Sequence, residues 1–296
     1  MDLVLTLIAA PNSNALGDDI VARAKTVLAA AGARVGDVSW LAAGEACDIG
    51  FAGLSLDIAD TALRDAGLGV DAVTQTAKTR RKKLLIADMD STMVTGETLD
   101  ELAAFAGVKD HVAAITARAM NGELDFEAAL DERVGLLDGM STDMLAEAWK
   151  EIEYTGGAKT LVATMKANGA FAALVSGGFD YFTGAVRREL GFDFDQANVL
   201  ITQDGKLTGK VQKPVLDRQA KVDALEKLSA EQGIGVEDAI AVGDGANDLQ
   251  MISLAGTGVA FHAKPAVQEQ ARICINHGDL TALLYLQGYA KSDFVI

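Results

Sequence analysis

Cysteine occurs only at Cys47 and Cys274, far apart and in no C-x-x-C spacing, which excludes a disulfide framework and a thiolate metal site. Both thiols are expected to be reduced. Proline is scarce at 3 residues and aromatics make up only 5% of the chain; with half the residues hydrophobic, the profile is that of a soluble globular enzyme. Positive charge is also short: 26 basic residues against 42 acidic ones leave a formal charge of -16, which repels nucleic acid and anionic membranes. Neither is expected as a partner. No hydrophobic run is long enough to span a bilayer, and the apolar stretch Leu3 to Ala10 lacks a basic leader, so a cytoplasmic protein is expected. If the substrate is an anion, positive charge must be gathered locally by a metal, a few Lys or Arg, and helix N-termini.

What is present is length and pattern. At 296 residues the chain exceeds the usual size of a single core, so two domains or a large insertion are expected. The first stretch reads strand, helix, strand, strand, helix, strand, beginning with Leu3 to Ile8 and ending near Val70 to Gln75. This order predicts a small ferredoxin-like α+β domain over residues 1–77, followed by the polar, basic linker Thr76 to Lys83. From residue 78 to 296 the pattern predicts an α/β domain with a Rossmann-like parallel sheet. Its apolar strands are Leu84 to Ala87, Phe171 to Val175, Asn198 to Ile201, Ala239 to Val242 and Gly258 to Phe261. Between the first two of these, helical periodicity over Glu97 to Ala106, Asp110 to Met120, Asp125 to Leu137 and Thr142 to Ile152 predicts an all-helical insertion at about 95–155.

Ligands of parallel sheets bind beyond the carboxyl ends of the strands, and the polar clusters of this chain stand there. Asp88-x-Asp90 follows the first strand, Ser176-Gly-Gly178 the second, and Gly243-Asp-Gly-Ala-Asn-Asp248 a later one. Singly, each is a common turn or helix cap. Together they are the parts needed to hold Mg2+ and a phosphate: oxygen ligands from Asp88 and Asp244, a hydroxyl on Ser176, and the amides of Gly177 and Gly178 at a helix N-terminus. Attack by Asp88 would split a hard displacement into two easier ones, with Asp90 donating a proton to the alkoxide and later taking one from water. A lysine is needed as the remaining point charge, and on spacing alone Lys221, Lys210 and Lys213 compete.

These residues resemble the haloacid dehalogenase-like phosphatases from about Leu84 to Phe261, and Asp88-Met-Asp-Ser-Thr-Met-Val94 with Glu97 is similar to the phosphoserine phosphatase family among them. The resemblance implies Asp88 as nucleophile, Asp90 as general acid and base, and Ser176 and Lys221 on the phosphoryl group. It implies Mg2+ held by Asp88, the Asp90 carbonyl and Asp244, with Asp248 orienting Lys221 or a metal-bound water. The insertion resembles the family's cap, and Met120-Asn-Gly-Glu-Leu-Asp-Phe126 with Arg133 resembles its substrate-recognising stretch. Arg133 would then bind the substrate carboxylate, Glu97 its ammonium, and Phe126 would exclude water, with Gly177 and Asn247 as further substrate contacts.

Without the resemblance, Phe126 would read as core and Arg133 as a surface charge; His111, His262 and His277 receive no catalytic role. The amino-terminal unit resembles an ACT-like domain, which implies a homodimer or serine binding. The implied small-molecule substrate is O-phospho-L-serine. Rival readings are a phosphatase of another small ester such as phosphohomoserine, a phosphotransferase, and a serine sensor without turnover.

Overall fold

The computed structural model describes residues 1–120 and 123–296. The amino-terminal unit follows the predicted order: β1 (Leu3–Ile8), α1 (Asp18–Ala30), β2 (Arg34–Ala42), β3 (Ala46–Ala52), α2 (Leu56–Ala66) and β4 (Asp71–Thr76). Its antiparallel sheet has the order β2-β3-β1-β4. The period-2 side-chain alternation of β1 explains why this strand reads as continuously apolar. Leu5 and Leu7 face α1 and α2, where they meet Val21, Ala24, Leu28 and Leu63, while Ile8 faces the rest of the molecule. Both faces of the sheet are therefore covered. Helix α2 starts where Ser55 accepts from the Ile58 amide and stops at Gly67, whose φ of 54° suits a residue without Cβ.

The segment Thr76 to Lys83, expected as a linker, is not loose. Arg80 pairs with Asp48 at 2.7 Å, Arg81 lies over the Tyr289 ring at 3.6 Å, and buried Lys82 donates to the Glu237 carbonyl at 2.7 Å. These basic side chains are consumed in joining two parts of the chain, a use that composition does not reveal. Asp71 adds a clip, accepting from the amides of Asn276 at 2.8 Å, His277 at 3.0 Å and Gly278 at 2.8 Å.

The remainder is built on β5 (Leu84–Ala87), followed by α3 (Thr98–Phe105), α4 (Lys109–Met120), α5 (Phe126–Gly135), α6 (Asp143–Lys150) and α7 (Ala158–Ala167). Then come β6 (Phe171–Phe179), α8 (Asp180–Leu190), β7 (Phe194–Asn198), β8 (Leu200–Gln203), β9 (Lys206–Val211) and α9 (Arg218–Glu231). The chain continues through β10 (Ala239–Gly243), α10 (Leu249–Leu254), β11 (Thr257–Phe261), α11 (Pro265–Gln268), β12 (Ile273–Ile275) and α12 (Ala282–Leu286). A parallel six-stranded sheet runs β12-β11-β10-β5-β6-β7. Central β5 is buried on both faces: Leu85 and Ala87 face one core, Leu84 and Ile86 the other. That is why it lacks polar alternation.

Two departures from the sequence reading concern strands. The run Asn198 to Ile201 is not one strand: β7 ends at Asn198 in the parallel sheet, and β8 begins a separate antiparallel hairpin with β9. Edge strand β12 has only three residues, too short to show a period. The inserted helices α3 to α6 lie within a few residues of their expected bounds. The β8–β9 hairpin props them from below: Gly139 donates to the Leu207 carbonyl, Leu207 to that of Met140, and Thr142 to that of Gly205, at 2.8–2.9 Å. Among the described residues no helix is long and apolar enough to cross a membrane.

Candidate active site

The chain leaves β5 through a tight turn in which the amides of Met93 and Val94 donate to the Met89 carbonyl and Ser91 adopts φ 52°. Met89, Met93 and Val94 drive the turn by burying completely in the core, while Asp88 and Asp90 line the cavity at the strand ends. Asp88 is buried, with its amide bonded to the Val242 carbonyl of β10. On the opposite side, β6 continues through Ser176-Gly-Gly178, and its pairing with β7 shifts register between Val175 and Phe179. The shift frees the Ser176 hydroxyl, which accepts from the Gly178 amide at 2.9 Å and donates to Asp90 Oδ2 at 3.3 Å. A Cβ on Gly178 would stand 2.8 Å from Asp90 Oδ2, so a larger residue there would displace the Asp90 carboxylate.

Helix α9 is N-capped by Asp217 and presents Lys221, Ala224, Leu225 and Leu228 on its buried stripe. A lysine in that stripe must be paired. Its Nζ lies 2.7 Å from Asp88 Oδ1 and 2.6 Å from Asp248 Oδ1, all three side chains being nearly inaccessible. Asp248 Oδ2 accepts from the Gly245 amide. Of the three lysines, Lys221 is thus the one that enters the site; Lys213 instead bridges Glu127 and Asp131 on α5, at the surface.

Burial pushes the Lys221 ammonium down, but the two carboxylates outweigh it and raise its proton affinity. Asp88 is raised by burial and by Asp248, against the pull of Lys221. Asp90 is pushed up to about 6 by burial and then by Glu97, although the Thr98 amide, 2.8 Å from Oδ1, works against this. Asp244 is likewise raised to about 6, by burial first and then by Asp248 and Glu97. Carboxylates crowded in this way want a cation.

Asp88, Asp244 and Asp248 each offer an oxygen, and these oxygens lie within 4.8 Å of one another. Because Asp248 is already committed to Lys221 and Gly245, the donors left for an ion are those of Asp88 and Asp244. Such an all-oxygen set fits a hard divalent cation such as Mg2+ and is unsuited to one that prefers sulfur or nitrogen.

Beside this cluster lies a cavity of about 350 Å³ lined by Asp88, Asp90, Ser176, Gly177 and Asp244 from the sheet side and by Glu97, Phe126 and Arg133 from the inserted helices. Asn247 also borders it, from an exposed position. Glu97 accepts from the Ser91 hydroxyl at 2.8 Å. Arg133 anchors Nε on the Ala129 carbonyl at 3.1 Å and, among the described residues, forms no ion pair; burial lowers its proton affinity while Asp100 and Glu97 oppose that. Phe126 is 39% exposed, and its ring tip stands 3.5 Å from where a Cβ on Gly177 would be. The ring of α5 thus reaches across to within van der Waals range of a Cβ at Gly177. Asn121 and Gly122 of the expected recognition stretch lie outside the described residues.

Lys264, between β11 and α11, was not singled out in the sequence; it lines the cavity, and its charge counters the rise at Asp244. One exposed lysine before a proline carries no signal by itself. His262 turns its Nε2 to the Gly278 carbonyl at 2.9 Å, outside the acidic cluster. A larger cavity, about 520 Å³, lies between α2 and β12 and holds none of the clustered groups.

Comparison with known proteins agrees with this geometry. The family model described as haloacid dehalogenase-like hydrolase matches residues 85–253. The chain is 46% identical to the phosphoserine phosphatase of Methanocaldococcus jannaschii over 69% of this chain and 97% of that protein. It belongs to the haloacid dehalogenase-like hydrolases, in the phosphoserine phosphatase family. The phosphoserine phosphatase of Streptomyces coelicolor is 43% identical over 77% of this chain, which spans just 56% of that longer relative. Among solved structures, a haloacid dehalogenase family hydrolase from Salmonella enterica serovar Typhi superposes with a TM-score of 0.84 at 29% identity, covering 97% of this chain and 98% of that one. In that structure the likeness extends over the amino-terminal unit as well as the domain built on the parallel sheet.

Proposed function

We propose that this chain is a cytoplasmic, Mg2+-dependent phosphatase that hydrolyses O-phospho-L-serine to L-serine and phosphate, the last step of serine synthesis, through a phosphorylated Asp88. The observation that carries the reading is the pairing of two sets of groups across one cavity: Asp88, Asp90, Ser176 and Asp244 on the sheet side, Glu97 and Arg133 on the helical side. A phosphorylated amino acid presents a phosphate at one end and an ammonium and a carboxylate at the other. No simpler phosphate ester needs both a carboxylate and a guanidinium facing its leaving group.

In the proposed reaction Asp88 attacks phosphorus, the ester P–O bond breaks, and the departing serine alkoxide takes the proton of Asp90. An acid raised to about 6 keeps a share of that proton near neutrality and can later remove one from water. Water then attacks the phosphoaspartate and releases phosphate, restoring the Asp88 carboxylate. Lys221 holds Asp88 at 2.7 Å and so fixes the direction of attack, while Asp248 fixes Lys221. Ser176 and the Gly177 amide receive the non-bridging oxygens while the Gly178 amide orients the Ser176 hydroxyl, Asn247 adds a substrate contact, and Phe126 keeps bulk water out. Mg2+, held by Asp88, Asp244 and the Asp90 carbonyl, would neutralise charge on the phosphate during attack.

The same reading divides the chain at 77/78, assigns about 95–155 to a cap, and gives the ACT-like unit a part in pairing two copies or binding serine. Sedimentation and serine inhibition of the full chain test that last part. Substrate identity is tested by comparing turnover of L-phosphoserine, phosphothreonine and a sugar phosphate at saturating Mg2+. L-Phosphoserine is expected to have the highest kcat/KM; equal turnover of the sugar phosphate would contradict the roles of Glu97 and Arg133.

A further inference from the structure

Asn198, the last residue of β7, is 2% exposed and spends its whole amide on backbone. Its Nδ2 donates to the Gly177 carbonyl at 2.9 Å and to the Leu216 carbonyl at 3.2 Å; its Oδ1 accepts from the Leu216 amide at 2.7 Å. Neither segment gains this from regular pairing. Ser176 to Gly178 lie within the register shift between β6 and β7, and Leu216 lies in the loop between β9 and α9.

We propose that Asn198 is a positioning residue for phosphoryl transfer, one side chain that fixes the Ser176–Gly178 loop and the start of the Lys221 helix relative to each other. The inference rests on the reading of the site as a phosphatase. A trans peptide is planar, so drawing the Gly177 carbonyl to Asn198 turns the Gly178 N–H the opposite way, onto Ser176 Oγ at 2.9 Å. Without that pull the peptide can rotate, and both the amide and the hydroxyl it orients lose their aim. Leu216, held on both its N–H and its C=O, directly precedes Asp217, the N-cap from which α9 delivers Lys221 in its first turn. Serine hydroxyl and lysine ammonium, the two groups assigned to the phosphoryl oxygens, thus share one anchor.

The chemistry allows few substitutes. Aspartate keeps the shape and still accepts from Leu216, but it turns an oxygen toward the Gly177 and Leu216 carbonyls where a donor is required. Outer-shell partners of metal ligands typically cost roughly 10–100-fold in activity when removed, and a loss of the same order is expected for a side chain that aims two phosphate-binding groups.

The test is Asn198→Ala and Asn198→Asp in the full chain, with steady-state kinetics on L-phosphoserine, the inhibition constant of inorganic phosphate, and thermal unfolding. Val186→Ala, on the buried face of α8, serves as a control for stability loss alone. Turnover of both Asn198 variants is expected to fall by that same factor, roughly 10–100-fold, with a parallel rise in the phosphate inhibition constant. Val186→Ala should keep its turnover while losing stability. Asn198→Asp guards against a misfolded alanine variant, since it leaves no cavity. If either folded variant keeps wild-type turnover and phosphate inhibition, Asn198 has no positioning role. Failure of the wild-type chain to release phosphate would instead remove the phosphatase reading itself.

Discussion

Replacing Lys221 by methionine separates the charge role of this residue from its bulk. The ammonium lies between Asp88 and Asp248 at 2.7 and 2.6 Å, with 2%, 6% and 0% of the three side chains accessible. Removing one partner of a buried ion pair leaves an uncompensated charge and costs about 3–5 kcal/mol. For 296 residues, each adding about 2.1 cal/mol/K of unfolding entropy, that corresponds to a fall in Tm of roughly 5–8 °C. Asp88→Asn is the informative contrast. Burial and Asp248 raise Asp88 against the pull of Lys221, so without a metal ion the two carboxylates still repel; the amide removes that repulsion and leaves Lys221 paired with Asp248. Its Tm in EDTA should match or exceed that of the unmodified chain, while its activity is lost. Differential scanning calorimetry in EDTA and in Mg2+ reads both effects, and Mg2+ should restore part of the loss in Lys221→Met. Equal Tm for Lys221→Met and the unmodified chain in EDTA would refute the argument, as would a large drop for Asp88→Asn.

Asp90 and Asp244 are raised from the ordinary 3.8 to about 6, so the folded chain binds more protons than the unfolded one between those values. Their contribution to stability is therefore complete below pH 4 and is lost as pH rises through 6; in EDTA these two groups oppose folding at pH 7.5. A cation at hundredfold excess over its Kd adds about 2.7 kcal/mol, and this gain should shrink between pH 7.5 and 5.5 as protons compete; a gain independent of pH would contradict the shared carboxylates. Arg133→Leu is expected to raise KM for L-phosphoserine by at least tenfold, the loss of a charged hydrogen bond of about 1.5–3 kcal/mol, with a much smaller effect on an uncharged aryl phosphate. A uniform loss on both substrates would mean that Arg133 acts on the fold. Asp71→Ala leaves the amides of residues 276–278 without their acceptor and should lower Tm measurably with little change in turnover, since the clip lies away from the acidic cluster.

The sheet side of the site was legible in the sequence because apolar strands end abruptly in polar clusters: Leu84 to Ala87 in Asp88, Phe171 to Val175 in Ser176. Local chemistry there coincides with local structure. Lys221 was not legible from spacing; its placement follows from the buried stripe with Ala224, Leu225 and Leu228, and a lysine in such a stripe makes sense only once its two carboxylate partners are known. Asn198 and Lys264 escaped because their meaning is wholly tertiary. The former looked like the first residue of a strand, and the latter like an ordinary surface charge. The basic run before Leu84 reads as a linker, and composition does not show that Arg80, Arg81 and Lys82 each find a partner distant in sequence.

The central claim is covalent transfer to one aspartate, and rapid acid quenching during turnover of L-phosphoserine tests it most directly. Mass spectrometry of the digested chain should find a single phosphoryl group on the peptide that contains Asp88, and none in Asp88→Asn. Steady release of phosphate with no labelled aspartate, or with the label on another residue, would contradict the account.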